Sequence, residues 1–343
     1  MSAQTETVIE NFLGRQTEAD WSQTLADLLP AIHEVDRTAT RIWFAFFPLG
    51  LAQALEQAED PALLARKLLL QGKYYLKDQV DSSHKFLYGH RYWPEVKKAV
   101  AEYAGSLAAT DSSTLTGHIR EVARRVATQL KTDESLLIGI TAVAFMTLQQ
   151  VGSAAFKAAA PHPLATNRKH ARKSPEQVLK ERARDNSQGL LGFLRTTNKE
   201  WTVAFDEADK SARFKLLHGQ EVASGAATDK RDWVARDARC TVGEGPIPVQ
   251  CRSASCGTCW VGVLGGAEKL SDVSPRESKM MKEFGYINTD EPKPIIRLSC
   301  QAQGFGAVSI VIPPWNGVFG KFLRQQKSQP QPESAASGAG GGA

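Results

Sequence analysis

Apolar positions recur at helical spacing through the first half of the chain and switch to strict alternation in the second. Leu63, Leu64 and Leu68 follow Asp60-Pro61, a capping residue with proline at the first helical position. Pro94-Glu95 opens a similar run through Tyr103. Ile119, Val122, Val126 and Leu130 form one apolar stripe, with Arg120, Arg124 and Lys131 on other faces. Residues 1–160 are therefore expected to form an all-α helix bundle. Within it, residues 135–156 carry no charge over 22 positions, long enough to span a bilayer. Thr141, Thr147, Gln149, Gln150 and Ser153 interrupt that apolarity, so the segment reads as a central buried helix in preference to membrane contact. The apolar run 42–55 is too short to span and contains Pro48. Trp43, Phe44, Phe46 and Phe47 read as core.

Residues 161–200 change character. Pro161-His162-Pro163 stops the helix, a basic run occupies 167–173, and a short helical stretch follows from 175 to 185. This connector holds nine basic and four acidic side chains, so the positive excess of the chain (+5 overall) sits here. Such a stretch attracts an acidic protein, nucleic acid or anionic lipid; the simpler reading, a solvated linker, is preferred, and nucleic acid is not expected as a partner. From 201 onward the period is two. Trp201, Val203 and Phe205 alternate with polar residues, Phe214 and Leu216 do the same, and the polar stretch 207–211 between them predicts a hairpin. Trp260, Val261 and Val263 predict another strand, and Val308, Ile310 and Ile312 one more. The domain reading is a helix bundle over 1–160, a linker over 161–200, a sheet-containing domain over 201–320, and a disordered low-complexity tail over 321–343.

The N-terminus, Met-Ser-Ala-Gln-Thr-Glu, lacks a basic region followed by an apolar run and does not read as a secretory leader. The chain has only five cysteines, all between positions 240 and 300. An odd number packed into one window argues for metal ligation over a disulfide framework, and a cytoplasmic setting is expected.

Cys251, Cys256 and Cys259 stand in a C-x4-C-x2-C run, with Cys300 further along. Three thiolates on one loop and a fourth from a distant segment is the ligand pattern of plant-type 2Fe-2S clusters. Structural zinc more often takes two C-x2-C pairs. The small residues Ser253, Ala254, Ser255 and Gly257 let backbone amides approach cluster sulfurs. Residues from about 201 to 315 resemble the 2Fe-2S ferredoxin family. The resemblance rests on Ile247-Pro248-Val249-Gln250-Cys251, on Ser255-Cys256-Gly257-Thr258-Cys259, and on Arg297-Leu298-Ser299-Cys300-Gln301. It implies an α+β domain of β-grasp fold, with Cys251 and Cys256 on an outer iron and Cys259 and Cys300 on an inner one. Residues 270–275 and the helical stretch after them look like the partner-docking region of the adrenodoxin-like branch. Arg276, Lys279 and Lys282 depart from the acidic character of that helix. A helical stretch is also expected over 232–240, ending in Cys240, which reads as an inert buried thiol with a spare-ligand role as the alternative.

No G-x-G-x-x-G unit is present, so a built-in flavin or nicotinamide reductase is not expected. His84 and His90, six apart, form no i, i+4 pair and read as ordinary histidines, as do His33 and His118. The expected function is one-electron transfer between a reductase and an acceptor protein, with no self-contained catalysis. The alternatives are an electron-transfer subunit of one enzyme complex and a redox-sensing regulator.

Overall fold

The computed structural model describes residues 7–106, 113–158, 168–184, 199–285 and 291–328. The expected helix stop at 161–163, the connector from 185 to 198 and the tail beyond 328 lie outside the described residues.

Among the described residues, eight α-helices precede the connector: Val8–Gly14, Glu18–Leu28, Glu34–Phe46, Leu49–Glu56, Pro61–Lys67, Trp93–Ser106, Leu115–Leu130 and Ser135–Ala158. Local capping sets several starts. Thr7 and Glu10 form a capping box, Asp60 accepts from the Leu63 amide at 2.9 Å, and Thr114 accepts from Gly117. The apolar segment at 135–156 lies within Ser135–Ala158. Its side chains from Leu136 to Leu148 are buried against the surrounding helices, and 72% of its most apolar window is enclosed by the fold. At Gly152 (φ +76°) the helix kinks, and the Ser153 amide beyond the kink donates to Glu10 at 2.8 Å. Burial opposes ionisation of Glu10, but the Thr7 and Ser153 amides outweigh it and bring its pKa down to about 2.

A short strand, β1 (Gln71–Gly72), interrupts the helical region. After the connector helices Arg168–Ala171 and Pro175–Glu181 come β2 (Glu200–Ala204), β3 (Arg213–Leu217), β4 (Gln220–Glu221), β5 (Trp260–Gly265), β6 (Ile296–Leu298), β7 (Gln303–Gly304), β8 (Val308–Val311) and β9 (Trp315–Asn316). The expected hairpin is β2–β3, in antiparallel register from Glu200↔Leu217 to Ala204↔Arg213. The main sheet runs β3-β2-β8-β5-β6, with β2 and β8 parallel and the other neighbours antiparallel. β4 pairs with β7, and β1 pairs with β9.

Two expectations are corrected. Residues 232–240 form turns, not a helix. Asp232 accepts from the Ala235 amide and Asp237 from the Arg239 amide, and these local side-chain bonds compete with the helical ladder. The tail expected to be disordered from 321 begins instead as helix Gly320–Ser328. It is seated on helix Pro275–Phe284, anchored where the Phe319 amide donates to the Phe284 carbonyl.

Helix Glu34–Phe46 joins the helical region to the sheet. Strands β5 and β8 are buried along both faces, so the sheet needs cover on each side. Glu34–Phe46 supplies one cover: a Cβ on Gly262 of β5 would lie 2.7 Å from Ile42 Cγ2 and 3.1 Å from Phe46 Cζ. The Trp315 indole donates to the Phe46 carbonyl at 2.7 Å, and the apolar core runs without a break from helices to sheet. The same helix buries Asp36, whose two carboxylate oxygens accept the Tyr88 and Gly89 amides at 2.6 Å each. Burial raises its pKa to about 6 against these hydrogen bonds and the nearby Arg182 and Arg91.

Two outcomes are expected. Gly262→Val forces the sheet away from helix Glu34–Phe46 and destabilises the chain by about 1–3 kcal/mol, read as a lower denaturant midpoint. Asp36 binds its proton more tightly folded (about 6) than at its ordinary 3.8, so its contribution is full below about pH 4 and is lost as pH rises through 6. Over that window the wild type loses stability relative to Asp36→Asn in parallel unfolding titrations.

Candidate metal centre

The four expected ligand positions come together from two segments. Cys251, Cys256 and Cys259 lie on the loop that feeds β5, and Cys300 follows β6. The β5–β6 register, Trp260↔Leu298, sets Cys259 beside Ser299, whose amide donates to the Cys259 carbonyl at 2.9 Å. Cys300 is the next residue. Sheet pairing therefore delivers the distant ligand to the loop.

The loop is tightly curled. Ile247 and Val249 anchor its start in the core. Arg252 (φ +54°), Ala254 (φ +58°) and Gly257 (φ +70°) are left-handed, which turns successive amides inward as an anion-binding concavity. The Ser253 and Ser255 amides point at Cys251 Sγ at 3.4 and 3.3 Å, and the Ala254 amide at Cys300. Gly257 is required twice over: besides its positive φ, a Cβ there would lie 2.9 Å from the Phe284 ring. Its carbonyl accepts from the Trp260 indole at 2.6 Å. Arg252 fastens the outside of the loop to Glu244 and, at 2.9 Å, to Ser224.

The thiols associate in pairs, Cys251 with Cys256 and Cys259 with Cys300. Burial raises the Cys251 pKa, but hydrogen bonds from Ser255 and Ser253 outweigh it and bring it to about 6. In the buried pair, Cys259 keeps the proton: its contact with Cys300 and its burial push its pKa well up. Cys300 falls to about 7 through the same contact, against the opposing effect of its burial. Two thiolates thus stand ready near neutral pH, in the form that binds metal. Among the described residues no three His, Cys, Asp or Glu side chains converge on one metal position. A two-iron cluster takes two thiolates on each iron. The paired thiols and inward amides fit a two-iron, two-sulfur core.

Cys240 stands apart from this arrangement. Its thiol donates to the Pro246 carbonyl at 3.5 Å, and burial raises it to about 11, so it stays protonated. The stretch after 270 is helix Pro275–Phe284, with Arg276, Lys279 and Lys282 exposed.

Sequence reasoning missed Glu277. It is fully buried on that helix and grips the equally buried Arg297 of β6 through both oxygens, at 2.9 and 2.8 Å. It also accepts the Leu298 amide at 3.1 Å, while Arg297 donates to the Ser271 carbonyl. The pair fixes β6 three residues before Cys300. Two signals were present: Ser274 three residues before Glu277, the spacing of a helix cap, and a lone arginine inside the apolar run Ile295-Ile296-Arg297-Leu298. Glu277→Ala leaves the guanidinium buried without a counter-charge and destabilises the chain by about 3–5 kcal/mol. Thermal unfolding should show this loss, with faster release of iron from the purified variant.

Residues 228–303 match the family model of the 2Fe-2S iron-sulfur cluster binding domain, a span that contains all four thiols. Comparison of the chain with curated proteins and with solved structures found no match. The C-terminal sheet region thus contains a 2Fe-2S ferredoxin-like segment, and its cofactor is a 2Fe-2S cluster.

Proposed function

We propose that the protein is a one-electron carrier, with the cluster held by Cys251, Cys256, Cys259 and Cys300. The observation that carries this reading is the meeting of two thiol pairs in a loop of inward amides, inside the segment that matches the cluster-binding family. The strand order β3-β2-β8-β5-β6, with its parallel β2–β8 pair, is read as a β-grasp sheet. When bound, the cluster supplies a single-electron couple, and the chain's residues set the conditions for its use. The amides of Ser253, Ala254 and Ser255 offset anionic charge on sulfur. Cys251 and Cys256 are only half-buried while Cys259 and Cys300 are buried, so electrons enter and leave on the side of the first pair.

Arg252 and Ser255 are exposed on the loop, and Val242, 86% exposed, stands on the preceding turn. Together with exposed Arg276, Lys279 and Lys282, these favour a redox partner protein with an acidic face around a small apolar contact. A cytoplasmic site of action is part of this reading. The helical region covers the sheet and offers further docking surface; no catalysis of its own is proposed.

Electron paramagnetic resonance before and after dithionite, with iron and sulfide assays, tests the reading. The oxidised protein should be silent, and reduction should give one spin-half signal at about two irons and two sulfides per chain. Ser in place of Cys259 or Cys300 should abolish or strongly reduce that signal. Zinc without iron in the purified chain would sink the proposal.

A further inference from the structure

One buried hydroxyl beside the cysteines is left over. Ser299 is fully enclosed, and its Oγ reaches neither solvent nor a hydrogen-bond partner among the described residues. A hydroxyl taken from water without a replacement partner is costly, so its presence here calls for an acceptor that the polypeptide does not supply.

The groups around it are already engaged. The Ser299 amide donates to the Cys259 carbonyl at 2.9 Å, and the Ser299 carbonyl accepts the Ala223 amide at 2.9 Å. Glu277 takes the Leu298 amide, and the Leu298 carbonyl accepts from Gln301 and Ala302. The Cys300 carbonyl accepts from the Gln301 side chain at 2.8 Å.

Strand register shows which way the hydroxyl faces. The pairing Trp260↔Leu298 continues by one step to Cys259 opposite Ser299, joined by the amide bond just described. Residues directly opposite in an antiparallel ladder project to the same face, with Cβ atoms about 4.5–5.5 Å apart. The Ser299 side chain and the Cys259 thiol therefore leave the sheet on one side, within reach of a common sulfur. The other three ligand positions have their own polar neighbours. Cys251 has the Ser253 and Ser255 amides, Cys256 Sγ lies 3.1 Å from Thr258 Oγ1, and Cys300 Sγ lies 3.6 Å from Gln301 Nε2. Cys259 receives the Cys300 amide, and Ser299 brings a side-chain donor to the same place.

We propose that the Ser299 hydroxyl donates to a sulfur of the bound cluster on the Cys259 side and holds its reduction potential up. This inference rests on the cluster reading above. An electron entering the core adds negative charge to its sulfurs, so a donor fixed there is held more strongly in the reduced state than in the oxidised one.

The test is a redox titration of the full chain with its cluster, followed by paramagnetic resonance. Ser299→Ala removes one oxygen and adds no bulk. It should keep two irons and the spin-half signal, while the equilibrium constant for reduction falls about tenfold, which is 59 mV for a one-electron couple. Ser299→Thr, which retains a hydroxyl, should restore the wild-type value. Ser309→Ala is the control: that serine is also buried, its hydroxyl accepts the Ala183 amide at 3.1 Å, and it pairs with Gly265, at the end of β5 away from Cys259. Its loss should leave the potential unchanged. After exchange into D₂O, the reduced wild type should show a deuteron coupling to the electron spin that Ser299→Ala lacks. An unmoved potential in Ser299→Ala, an equal fall in Ser309→Ala, or identical deuteron couplings in wild type and Ser299→Ala would each overturn this inference alone. A wild type without the spin-half signal would overturn the cluster reading together with it.

Discussion

Strands β5 and β8 are buried on both faces, and that requirement organises the molecule. An antiparallel sheet can leave one face to solvent with an alternating sequence. Here Trp260-Val261-Gly262-Val263 is apolar throughout and Val308 to Val311 is buried throughout, so each face must meet another layer. Helix Glu34–Phe46 meets one of them, and the glycine at 262 lets it approach closely enough for Ile42 and Phe46 to touch the strand backbone. The helical region is thereby part of the solvent shield of the cluster-bearing sheet.

That shield bears on the cluster through geometry. The loop thiols are set by local backbone, three left-handed residues and a ring of small side chains. Cys300 is set by the β5–β6 register and by the buried Glu277–Arg297 pair. Replacing such a pair with apolar residues of matching volume is often harmless to stability, whereas removing one partner is not. Its value here is positional, because it holds the short strand β6 against both its neighbour and the helix above it.

The parts of this arrangement legible in the sequence are those written in local patterns. Period-two alternation revealed the β2–β3 hairpin, Asp60-Pro61 marked a helix start, and the spacing of Cys251, Cys256, Cys259 and Cys300 indicated the cluster. What could not be read depends on partners distant in sequence or on competition between local bonds. Strands β1 and β9 have two residues each, too few for any period to show. The stretch 232–240 has helix-compatible composition, yet its aspartates cap their own turns. His84 and His90 face each other through turn geometry that helical spacing rules do not describe. Helix Gly320–Ser328 is polar and earns its place by docking on Pro275–Phe284, a surface that does not exist until the domain has folded.

The β1–β9 pairing carries a consequence for how the chain is made. Leu68 and Lys73, in the helical region, bond Val318 and Pro314, and Phe46 accepts from Trp315, 269 positions away. A chain emerging N-terminus first has its helices available early, but these partners leave the ribosome long after them. Until they arrive, Phe46 and its neighbours lack their cover and the edge at Gln71–Gly72 is unpaired. The helical region must wait in an incompletely closed state until residues 314–318 have been made, so truncations that remove them would be felt in helices made long before.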